Sequence, residues 1–467
     1  MTNQDDQHHQ RMLQALHLAQ QDLTRVSPNP KVGCVIYNQN HVCVATGVTG
    51  KPGSPHAEIH ALHALAMWQQ KNQTPSEKKT TQTNRRMRSR RGSRASSADT
   101  VSSHVWKLPQ KTNQIYHLYV TLEPCTHYGR TPPCVDAIIQ SGITHVYIGT
   151  LDPNPQVSGR SILILEQAGI EVYLGIAEQA CHRWHAPFKK WITQGMPWVT
   201  LKGAMTLDGC LATAQGHSQW ITGSEARTHV HQIRAQVDAL MIGGGTARID
   251  QPRLSVRHCA GSDPIAVVVS RTLALPKKLP CVRPGTLCIH GPQASAQQKQ
   301  AWHKRGVELI EVALDEEGTG LDLKQILQNL AQRGIIHLLI EGGGKLHASF
   351  IQAGLIDDVM IYMAPKIIGK GRPLFALPSV AKIDDGWCLD QTHIELLGSD
   401  WLITGTLVTH EEYMRLKTSD AHDVQVEASM ELANSLDESV DSLDESVDSL
   451  DESVESLDES VDSLDGL

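Results

Sequence analysis

Apolar side chains recur along the chain at two alternating spacings, one typical of helices and the other typical of strands. Residues 12–23 carry apolar groups every three or four positions, which predicts a helix with one apolar face at Leu13, Leu16, Ala19 and Leu23. Two apolar runs, Val32–Tyr37 and Val42–Thr46, flank the polar segment Asn38–Asn40 and predict a β-hairpin. Helical spacing returns at His56–Met67.

Apart from a break at residues 69–113, the alternation continues to about Thr409, and Gly195-Met196-Pro197 is predicted to be a hinge between two halves. Before this hinge, strands are predicted at Ile115–Leu122, Thr144–Thr150 and Ile170–Leu174, and helices at Pro132–Ser141, Ser161–Ala168 and Glu178–Gln194. After it, strands are predicted at Trp198–Met205, Ala239–Ile242, Ile265–Val269, Thr286–His290 and Ile336–Ile340, and helices at Ser224–Gln236 and Leu323–Gln332. Alternating strands and helices favour layered α/β structure, so we expect two α/β domains at residues 1–195 and 196–410.

Two segments lack this pattern and differ sharply in charge. Residues 69–113 contain 11 basic and two acidic side chains, whereas residues 416–467 contain 17 acidic side chains and one basic one. The acidic segment repeats Ser-Leu-Asp-Glu-Ser-Val-Asp, which spaces Leu and Val as in a coiled coil, but its like charges oppose pairing. We predict a disordered basic insert (69–113) and a disordered acidic tail (411–467), and their opposite charges suggest that the two touch each other. The net charge of -8 is therefore mainly a property of these appendages.

Composition excludes several classes of protein. The longest apolar runs, such as Ile335–Ile340, are too short to span a bilayer, and the first residues lack the apolar core of a secretory signal. Ten cysteines without regular spacing are typical of a reduced, cytoplasmic protein. Aromatic residues make up 4% of the chain, which argues against a stacking surface for nucleic acid. We expect a cytoplasmic protein without membrane attachment.

The densest candidate chemistry lies at His56, Glu58, Cys125 and Cys134. One imidazole and two thiolates suit Zn²⁺ with a fourth position left for water. Glu58 follows His56 by two residues at a predicted helix start, so its carboxylate is placed to move a proton between that water and a leaving amine. The order H-x-E, then P-C, then C is typical of zinc-dependent nucleobase deaminases. The other eight cysteines are predicted to be inert thiols: Cys34, Cys43, Cys181, Cys210, Cys259, Cys281, Cys288 and Cys388.

Glycine-rich turns mark a second candidate site. Gly243-Gly244-Gly245-Thr246 and Glu341-Gly342-Gly343-Gly344 both follow apolar runs, and the second leads into a predicted helix whose free N–H groups could hold a phosphate. Neither turn matches the dinucleotide-binding fingerprint, and glycine clusters often form ordinary turns. The pattern alone therefore leaves a nucleotide site open.

Residues 121–134, which read TLEPCTHYGRTPPC, resemble the hallmark of one family, the bifunctional deaminase–reductase of riboflavin biosynthesis. Asn29–Gly33 and the segment Asp152–Pro155 with Gly159-Arg160 resemble it too. The resemblance implies an N-terminal cytidine-deaminase-like three-layer α/β/α domain and a C-terminal dihydrofolate-reductase-like α/β domain. The first would deaminate 2,5-diamino-6-(5-phosphoribosylamino)pyrimidin-4(3H)-one with zinc. The second would reduce the ribosyl group of the product to ribityl with NADPH.

Site residues follow from the same resemblance. In the deaminase, Glu58 would be catalytic, the ligands would be His56, Cys125 and Cys134, and Asn29 would contact the substrate, with His127 and Arg130 as further polar groups of the loop. The cofactor would contact Ala204, Trp220, Thr246, Asp250, Ser270, Gly343, Gly344, Lys345, Leu346, His347, Ala348 and Ser349. The second substrate would contact Lys202, Ser218, Arg234, Leu254, Arg257 and Glu341. Arg234 and Arg257 suit a 5′-phosphate because a guanidinium forms paired hydrogen bonds with it.

The chain departs from the family in several places. Eight residues separate Cys125 from Cys134, where deaminases usually have two, and Thr49 lies where the family usually has a histidine in the deaminase pocket. Gln251 takes the place of a common aspartate, and the insert and tail have no counterpart. Two alternatives stay open: a zinc deaminase acting on nucleic acid, and a non-catalytic scaffold that keeps the fold. The expected partner is a small phosphorylated pyrimidine, and self-association into a homo-oligomer is left open.

Overall fold

The computed structural model describes residues 3–72, 108–127, 132–155, 157–276 and 278–418. Most of the predicted insert and tail, and Arg130, lie outside these ranges. The chain forms two compact units, one of Met1–Leu377 with His393–Thr404 and the other of Pro378–Thr392 with Gly405–Leu467. No helix in the described ranges is long and apolar enough to cross a membrane.

The first 194 residues build a five-stranded sheet between two layers of helices. The strands are β1 (Gly33–Asn38), β2 (Cys43–Val48), β3 (Tyr116–Leu122), β4 (His145–Thr150) and β5 (Glu171–Leu174), and the helices are α1 (Asn3–Gln21), α2 (Ala57–Asn72), α3 (Cys134–Ser141), α4 (Arg160–Gln167) and α5 (Glu178–Gln194). The strand order is β2-β1-β3-β4-β5. The β1 strand pairs antiparallel with β2 and β3, while β3, β4 and β5 run parallel. The predicted hairpin and the predicted three-layer domain are confirmed.

Alternation along β1 explains the layering. Cys34 and Ile36 face the core shared with α2 and α3, whereas Val35 faces α1 and the start of α5. Helix α1 buries Met12, Ala15 and Leu16 on that side, which is the apolar stripe expected of a surface helix.

Two glycines bring helices into contact with the sheet. A Cβ on Gly33 would lie 1.9 Å from the carbonyl oxygen of Ala15 in α1, and a Cβ on Gly47 would lie 2.1 Å from that of Ala57 in α2. Both helices therefore reach the sheet backbone only because these positions have no side chain.

The remaining strands form a nine-stranded sheet and a two-stranded ribbon. They are β6 (Trp198–Thr206), β7 (Cys210–Thr213), β8 (Ala239–Gly243), β9 (Ile265–Val269), β10 (Leu287–His290), β11 (Glu308–Glu311), β12 (His337–Glu341), β13 (Asp358–Ala364), β14 (Gly371–Pro373), β15 (Trp387–Leu397) and β16 (Asp400–Thr409). The large sheet has the order β11-β10-β9-β8-β12-β6-β13-β16-β15, and β7 pairs with β14. The seven strands from β11 to β13 run parallel, as expected for apolar strands covered on both faces.

Five helices accompany this sheet: α6 (Ser224–Gln236), α7 (Gly244–Ile249), α8 (Ala296–His303), α9 (Leu323–Ala331) and α10 (Gly344–Gln352). A 3-10 turn at Ile383–Asp385 precedes β15, and residues 410–418 are helical. Helices α8 and α9 begin with side-chain caps, because Ser295 and Asp322 accept hydrogen bonds from the backbone N–H groups of Gln298 and Gln325. Gly343 precedes α10 and provides no side-chain cap, so the N–H groups of Gly344 and Lys345 are left for another acceptor.

The edges of the predicted insert are wrong. Residues 69–72 complete α2, and Gln69 exchanges two hydrogen bonds with the backbone of Gln110, at 3.2 and 2.9 Å. Leu108 packs against the core of the first domain. Composition placed these residues with the charged segment, whereas their contacts tie them to the fold. The predicted tail also begins too early, because the helix at 410–418 includes its first residues.

The first domain contacts the parallel sheet of the second at the amino ends of its strands. Lys190 donates to both carboxylate oxygens of Asp357, at 2.8 and 2.6 Å, directly before β13. Trp191 Nε1 donates to the carbonyl oxygen of Ala331 at 3.0 Å, shortly before β12. Arg25 donates to the carbonyl oxygen of Asp263 before β9, and Gln236 donates to that of Gln20 before β8. A cavity of about 470 Å³ remains at this junction.

Candidate active sites

Local structure brings the four predicted deaminase residues together. His56 directly precedes α2, and Glu58 lies in its first turn. Cys125 follows β3, and Cys134 is the first residue of α3. The end of a central strand and the starts of two helices therefore converge at one edge of the sheet.

Three side chains form a group able to hold a metal ion. The His56 Nδ1 atom lies 3.5 Å from Cys125 Sγ and 3.3 Å from Cys134 Sγ, and all three potential ligand atoms lie within 4.8 Å of one another. The backbone N–H of Cys134 donates to Cys125 Sγ at 3.3 Å and orients that sulfur. Two sulfurs and an imidazole nitrogen are a donor set that zinc prefers, so these residues fit the ion.

The pKa values of these three side chains also favour a bound cation. Hydrogen bonding from Cys134, and then from His56, lowers the pKa of Cys125, whereas hydrogen bonding to Cys125 and burial raise the pKa of Cys134. The hydrogen bond with Cys125 raises the pKa of His56 to about 9. Three protein atoms this close share protons in the absence of a cation, and a divalent ion allows both sulfurs to be thiolates.

Glu58 lies beside this group without belonging to it. Its side chain is only 3% exposed, and burial raises the pKa of its carboxyl group. A carboxyl group whose pKa is raised is a stronger base, which suits it to accept a proton and return it. The geometry therefore matches the role predicted for Glu58.

A cavity of about 380 Å³ opens onto these residues. Its polar lining includes Asn29, Thr49, His127, Asp152 and Asn154, and its apolar wall includes Phe188, Trp191 and Ile192. Burial raises the pKa of Asp152 to about 6. A cavity of this size is in the range that holds a small ligand, and it contains the predicted contacts Asn29 and His127.

Glu123 anchors the wall of this cavity, a role that motif spacing did not reveal. Its carboxylate accepts hydrogen bonds from the backbone N–H groups of Asp152, Gly159 and Ser161 and from the Ser161 hydroxyl, at 2.7 to 3.2 Å. It is only 3% exposed. Its place next to Pro124 and Cys125 was the only signal in the sequence, because its partners lie about 30 to 40 residues further on.

An ion pair dominates the second site. Arg234 in α6 donates two hydrogen bonds to Glu341 at the end of β12, at 2.8 and 2.7 Å, and both side chains are 12% exposed. Lys202 on β6 lies opposite Glu341 in the strand register, with its Nζ 5.5 Å from the centre of the Tyr362 ring. Burial lowers the pKa of Lys202. A partly desolvated ammonium beside a buried ion pair is suited to holding a transferable proton.

Positive charge extends from this pair to Arg257. The Arg234 guanidinium also donates to the carbonyl oxygen of Ser255 at 3.3 Å, and Arg257 donates to the Ser255 hydroxyl at 3.4 Å. The Arg257 backbone N–H donates to His231 at 3.2 Å. Because the Arg234 guanidinium is already hydrogen-bonded to Glu341, the exposed Arg257 is the better placed of the two arginines to bind a phosphate.

The two glycine-rich turns are tied to each other. The Gly343 N–H donates to the Thr246 hydroxyl at 3.0 Å, and the Asp250 N–H donates to the Thr246 carbonyl oxygen at 2.9 Å. Ser270 follows β9 on the same edge of the sheet, since β9 and β8 run parallel. Thr246, Asp250, Ser270 and the start of α10 therefore share the carboxyl edge, where ligands of parallel sheets bind.

The Trp220 loop is held by two cations. The Lys366 ammonium donates to the carbonyl oxygens of Trp220 and Ile221 at 2.9 and 2.6 Å, and the Arg227 guanidinium lies 4.7 Å from the centre of the Trp220 ring. Trp220 remains 66% exposed. Ser218 lies half-buried in the same loop.

Not every predicted cofactor or substrate residue has an accessible side chain. Leu254, His347 and Ala348 are 1%, 0% and 4% exposed, and Leu254 belongs to the hydrophobic core of the second domain. Lys345 and Ser349 are exposed, whereas Leu346 and Ala204 are half-buried. Within α10 the helical period explains the difference, because residues three or four positions apart share a face: Gly344, His347 and Ala348 lie on the packed face, whereas Lys345 and Ser349 lie on the open one.

Comparisons with known proteins match both halves of the chain. The profile "Cytidine and deoxycytidylate deaminase zinc-binding region" matches residues 5–150, and the profile "RibD C-terminal domain" matches residues 197–403. The riboflavin biosynthesis protein RibD of Aquifex aeolicus is 39% identical over 290 residues, which are 61% of this chain and 79% of that protein. The Synechocystis protein of the same name is 40% identical over 301 residues, which are 63% and 80% of the two chains.

Solved structures show the same similarity over nearly the whole fold. RibD of Acinetobacter baumannii matches with a TM-score of 0.68 and 30% identity, covering 87% of this chain and 100% of that one. A Thermotoga maritima diaminohydroxyphosphoribosylaminopyrimidine deaminase/5-amino-6-(5-phosphoribosylamino)uracil reductase matches with a TM-score of 0.67 and 30% identity, covering 86% and 99%.

Proposed function

The chain belongs to the RibD family of riboflavin biosynthesis enzymes, and we propose that its two domains catalyse two successive steps of that pathway. Residues 1–195 hydrolyse the 2-amino group of 2,5-diamino-6-(5-phosphoribosylamino)pyrimidin-4(3H)-one. Residues 196–410 reduce the ribosyl group of 5-amino-6-(5-phosphoribosylamino)uracil with NADPH. The end of α5 at Gln194 and the start of the reductase profile at residue 197 support the boundary. The observation that carries the proposal is the convergence of His56, Cys125, Cys134 and Glu58 on one cavity.

Zinc is the metal proposed for the first site, held by His56 Nδ1 and by the sulfurs of Cys125 and Cys134. When bound, it supplies a Lewis acid that lowers the pKa of water. The Glu58 carboxylate accepts the proton of the attacking water and delivers it to the departing amino nitrogen. Burial of Glu58 favours this role because it makes the carboxyl group a stronger base.

The cavity walls position the pyrimidine. The Asn29 amide can donate to and accept from a pyrimidinone ring, and His127 and Asp152 add further polar groups at the rim. Trp191 and Phe188 provide an apolar face for a planar ring and keep solvent away. The partner proposed for this cavity is therefore a small polar heterocycle with a phosphorylated sugar.

In the second site, Lys202 supplies a proton and Arg257 binds the phosphate. Reduction of the ribosyl group opens the sugar ring, and the ring oxygen must then be protonated. Lys202 is proposed to donate that proton, while Glu341 and Arg234 fix its position through their ion pair. The exposed Arg257 guanidinium, held near Ser255, is proposed to bind the 5′-phosphate.

NADPH is the proposed reductant and supplies a hydride to the sugar carbon. The uncapped start of α10, with Gly344 and Lys345, offers N–H groups to its phosphates. Thr246 holds Gly343 in place, and Lys366 and Arg227 hold Trp220 where its exposed ring can cover the cofactor. Asp250, Ser270 and Lys345 lie along the same edge and complete the proposed contact surface.

A cytoplasmic location is part of the proposal. All ten cysteines are free thiols, as expected in a reducing compartment, and two of them are needed as zinc ligands. Growth of cells on limiting zinc should lower the deaminase activity and leave the reductase activity intact.

The test uses the zinc-loaded full chain. It should release ammonia from the diaminopyrimidine and then oxidise NADPH with the deaminated product. The Glu58→Gln variant should retain zinc and NADPH oxidation but lose ammonia release by about 10²- to 10⁴-fold, the usual contribution of a general acid–base group. Glu166→Gln, an exposed glutamate in α4, is the matched control and should behave like the parent. Unchanged ammonia release by Glu58→Gln would refute the assignment.

A further inference from the structure

Three side chains of the second compact unit meet outside the residues proposed for either reaction. Cys388 lies on β15, Asp384 lies in the 3-10 turn before it, and His410 follows β16. The Cys388 Sγ atom is 3.7 Å from His410 Nδ1, and His410 Nε2 is 3.5 Å from Asp384 Oδ1. The imidazole therefore lies between a thiol and a carboxylate and contacts both.

The two ring nitrogens of His410 face different partners. A carboxylate beside Nε2 favours the tautomer that carries its proton there, which leaves Nδ1 as an acceptor directed at the thiol. This is the arrangement of an activated nucleophile, in which a base lies within reach of the thiol and a third group orients the base. The His410 side chain is 30% exposed and Cys388 is half-buried, so small reagents can reach the sulfur.

The other cysteines lack this combination of a partly exposed thiol and an imidazole outside the zinc group. Five are buried, namely Cys34, Cys181, Cys210, Cys281 and Cys288, and Cys125 and Cys134 belong to the zinc group. Cys43 directs its thiol to the carbonyl oxygen of Ala45, and burial raises the pKa of both Cys43 and Cys259. The sequence predicted Cys388 to be as inert as these, but its neighbours in the structure differ.

We propose that Cys388 is a reactive thiol and a site of covalent modification by neutral soft electrophiles and small neutral disulfides. His410 takes the thiol proton as the sulfur attacks. With an alkyl halide, an S–C bond forms, the carbon–halogen bond breaks and halide leaves. With a disulfide, a mixed disulfide forms and the other half leaves as a thiolate, which then takes up a proton.

Charge around the site determines which reagents react. Asp384 and Asp385 precede Cys388, Asp390 follows it, and Glu411 and Glu412 follow His410. Lys417 lies 3.9 Å from Asp390 and Arg415 lies 3.3 Å from Glu411, and these two cations offset part of this charge. Because the remaining charge is negative, anionic reagents should be repelled and neutral ones favoured.

The test is alkylation of the zinc-loaded full chain by iodoacetamide, with the modified residues identified by peptide mass spectrometry over time. Cys388 should be modified first among the ten cysteines, and faster with iodoacetamide than with the anionic iodoacetate. His410→Gln should slow alkylation of Cys388 about tenfold or more, since a positioned base contributes at least this much to proton transfer. Alkylation of Cys259 in the same sample is the internal control and should not change.

A second variant guards against misfolding. Asp384→Asn alters an exposed carboxylate, 73% accessible, and should slow alkylation of Cys388 by a smaller factor. Both variants should keep the deaminase and reductase activities of the parent, because none of the three residues is assigned to those sites. Modification of Cys388 no faster than that of Cys259, or at the parent rate in His410→Gln, would overturn the proposal.

Discussion

At the scale of single residues, Thr49 lines a cavity but has a structural role. The hydroxyl lines the deaminase cavity, yet it accepts the Val32 N–H at 3.0 Å and lies 3.5 Å from the Val32 carbonyl oxygen. Thr49 is 4% exposed. The place where the family usually has a histidine is therefore occupied here by a residue that joins the two strand ends.

The Thr49→Val variant tests this. Loss of the hydroxyl leaves the buried Val32 N–H without a partner. The free energy of unfolding should therefore fall by about 1–3 kcal/mol, while KM for the pyrimidine stays unchanged. Thr49→Ser keeps the hydroxyl and should retain most of the stability. Urea denaturation and ammonia-release kinetics measure the two effects, and a raised KM at unchanged stability would instead indicate that the hydroxyl binds substrate.

Glu341, in the proposed reductase site, should make the stability of the fold depend on pH in acid. Burial alone would raise its pKa, but the charge and hydrogen bonds of Arg234 outweigh burial and lower the pKa to about 2. A carboxylate with a lowered pKa stabilises the fold above its unfolded value of about 4.3, and that contribution is lost as the pH falls from there towards 2. The Arg234–Glu341 pair should therefore contribute fully at neutral pH.

Glu341→Gln should reduce the free energy of unfolding by about 3 kcal/mol at neutral pH, because it leaves Arg234 buried without its partner. The difference from the parent should shrink between pH 4 and pH 2, as followed by urea denaturation at several pH values. Glu311→Gln, which removes the exposed partner of Lys299, is the control and should change stability little. A difference that does not depend on pH would contradict the assigned charge state.

Sequence reasoning succeeded where the chemistry is local. His56 directly precedes α2 and Glu58 lies in its first turn, and residue type and order were enough to predict that His56 groups with Cys125 and Cys134. Glu123, Asp152 and Lys366 were missed as structural or lining groups, because each acts through partners far along the chain. Pairwise contacts of this kind leave no periodicity to detect.

At the scale of elements, the start of α10 packs closely on neighbouring backbone. A Cβ on Gly344 would lie 3.0 Å from each of three backbone atoms, in Pro373, Leu374 and Ala376. The backbone of the residues after β14 thus packs directly on the first turn of the helix.

Gly344→Ala should push the start of α10 away from that backbone. We expect a loss of about 1–3 kcal/mol in stability and a raised KM for NADPH with a smaller change in kcat. Gly245→Ala in α7 is the matched control, because a Cβ there meets nothing within 4 Å. An unchanged KM in Gly344→Ala would remove α10 from the proposed cofactor site.

Element prediction followed strand burial. The apolar strands β6, β8, β9, β10 and β12 were predicted within one or two residues, because burial on both faces gives each a continuous apolar run. Six strands were not predicted: β7, β11, β13, β14, β15 and β16. The strands β7, β11 and β14 are short, β15 has a largely exposed surface, and β13 and β16 are only partly buried. Tertiary pairing defines these strands more than their own composition does.

At the scale of the whole molecule, the two proposed sites lie at opposite ends of the parallel sheet. The deaminase domain contacts the residues before β9, β12 and β13, whereas the reductase candidates lie at the carboxyl ends of β8, β9 and β12. Leu338, Leu339 and Ile340 are fully buried between the two edges. From His337 to Glu341 the strand spans about 13 Å of packed core, since each residue rises about 3.3 Å.

This separation predicts that the deaminated intermediate passes through solvent. The Glu58→Gln variant keeps only the reductase site, and Lys202→Met keeps only the deaminase site. A mixture of the two should form the reduced product as fast as the parent enzyme does when each working site has the same concentration. The time course of NADPH oxidation from the diaminopyrimidine measures this. A longer lag in the mixture would indicate direct transfer within one chain.

Because the junction lies at the amino ends of the strands, joining the two domains in one chain should not speed transfer of the intermediate. The joined chain has a different advantage. One polypeptide delivers both catalysts in equal number, whatever the level of expression, and loses both together on degradation. If the deaminated pyrimidine is free between the steps, as the mixing experiment tests, equal dosage limits how far it accumulates. The Lys190–Asp357 contact and its neighbours at the junction would then be maintained for supply of the pathway, with neither active site depending on the other for its chemistry.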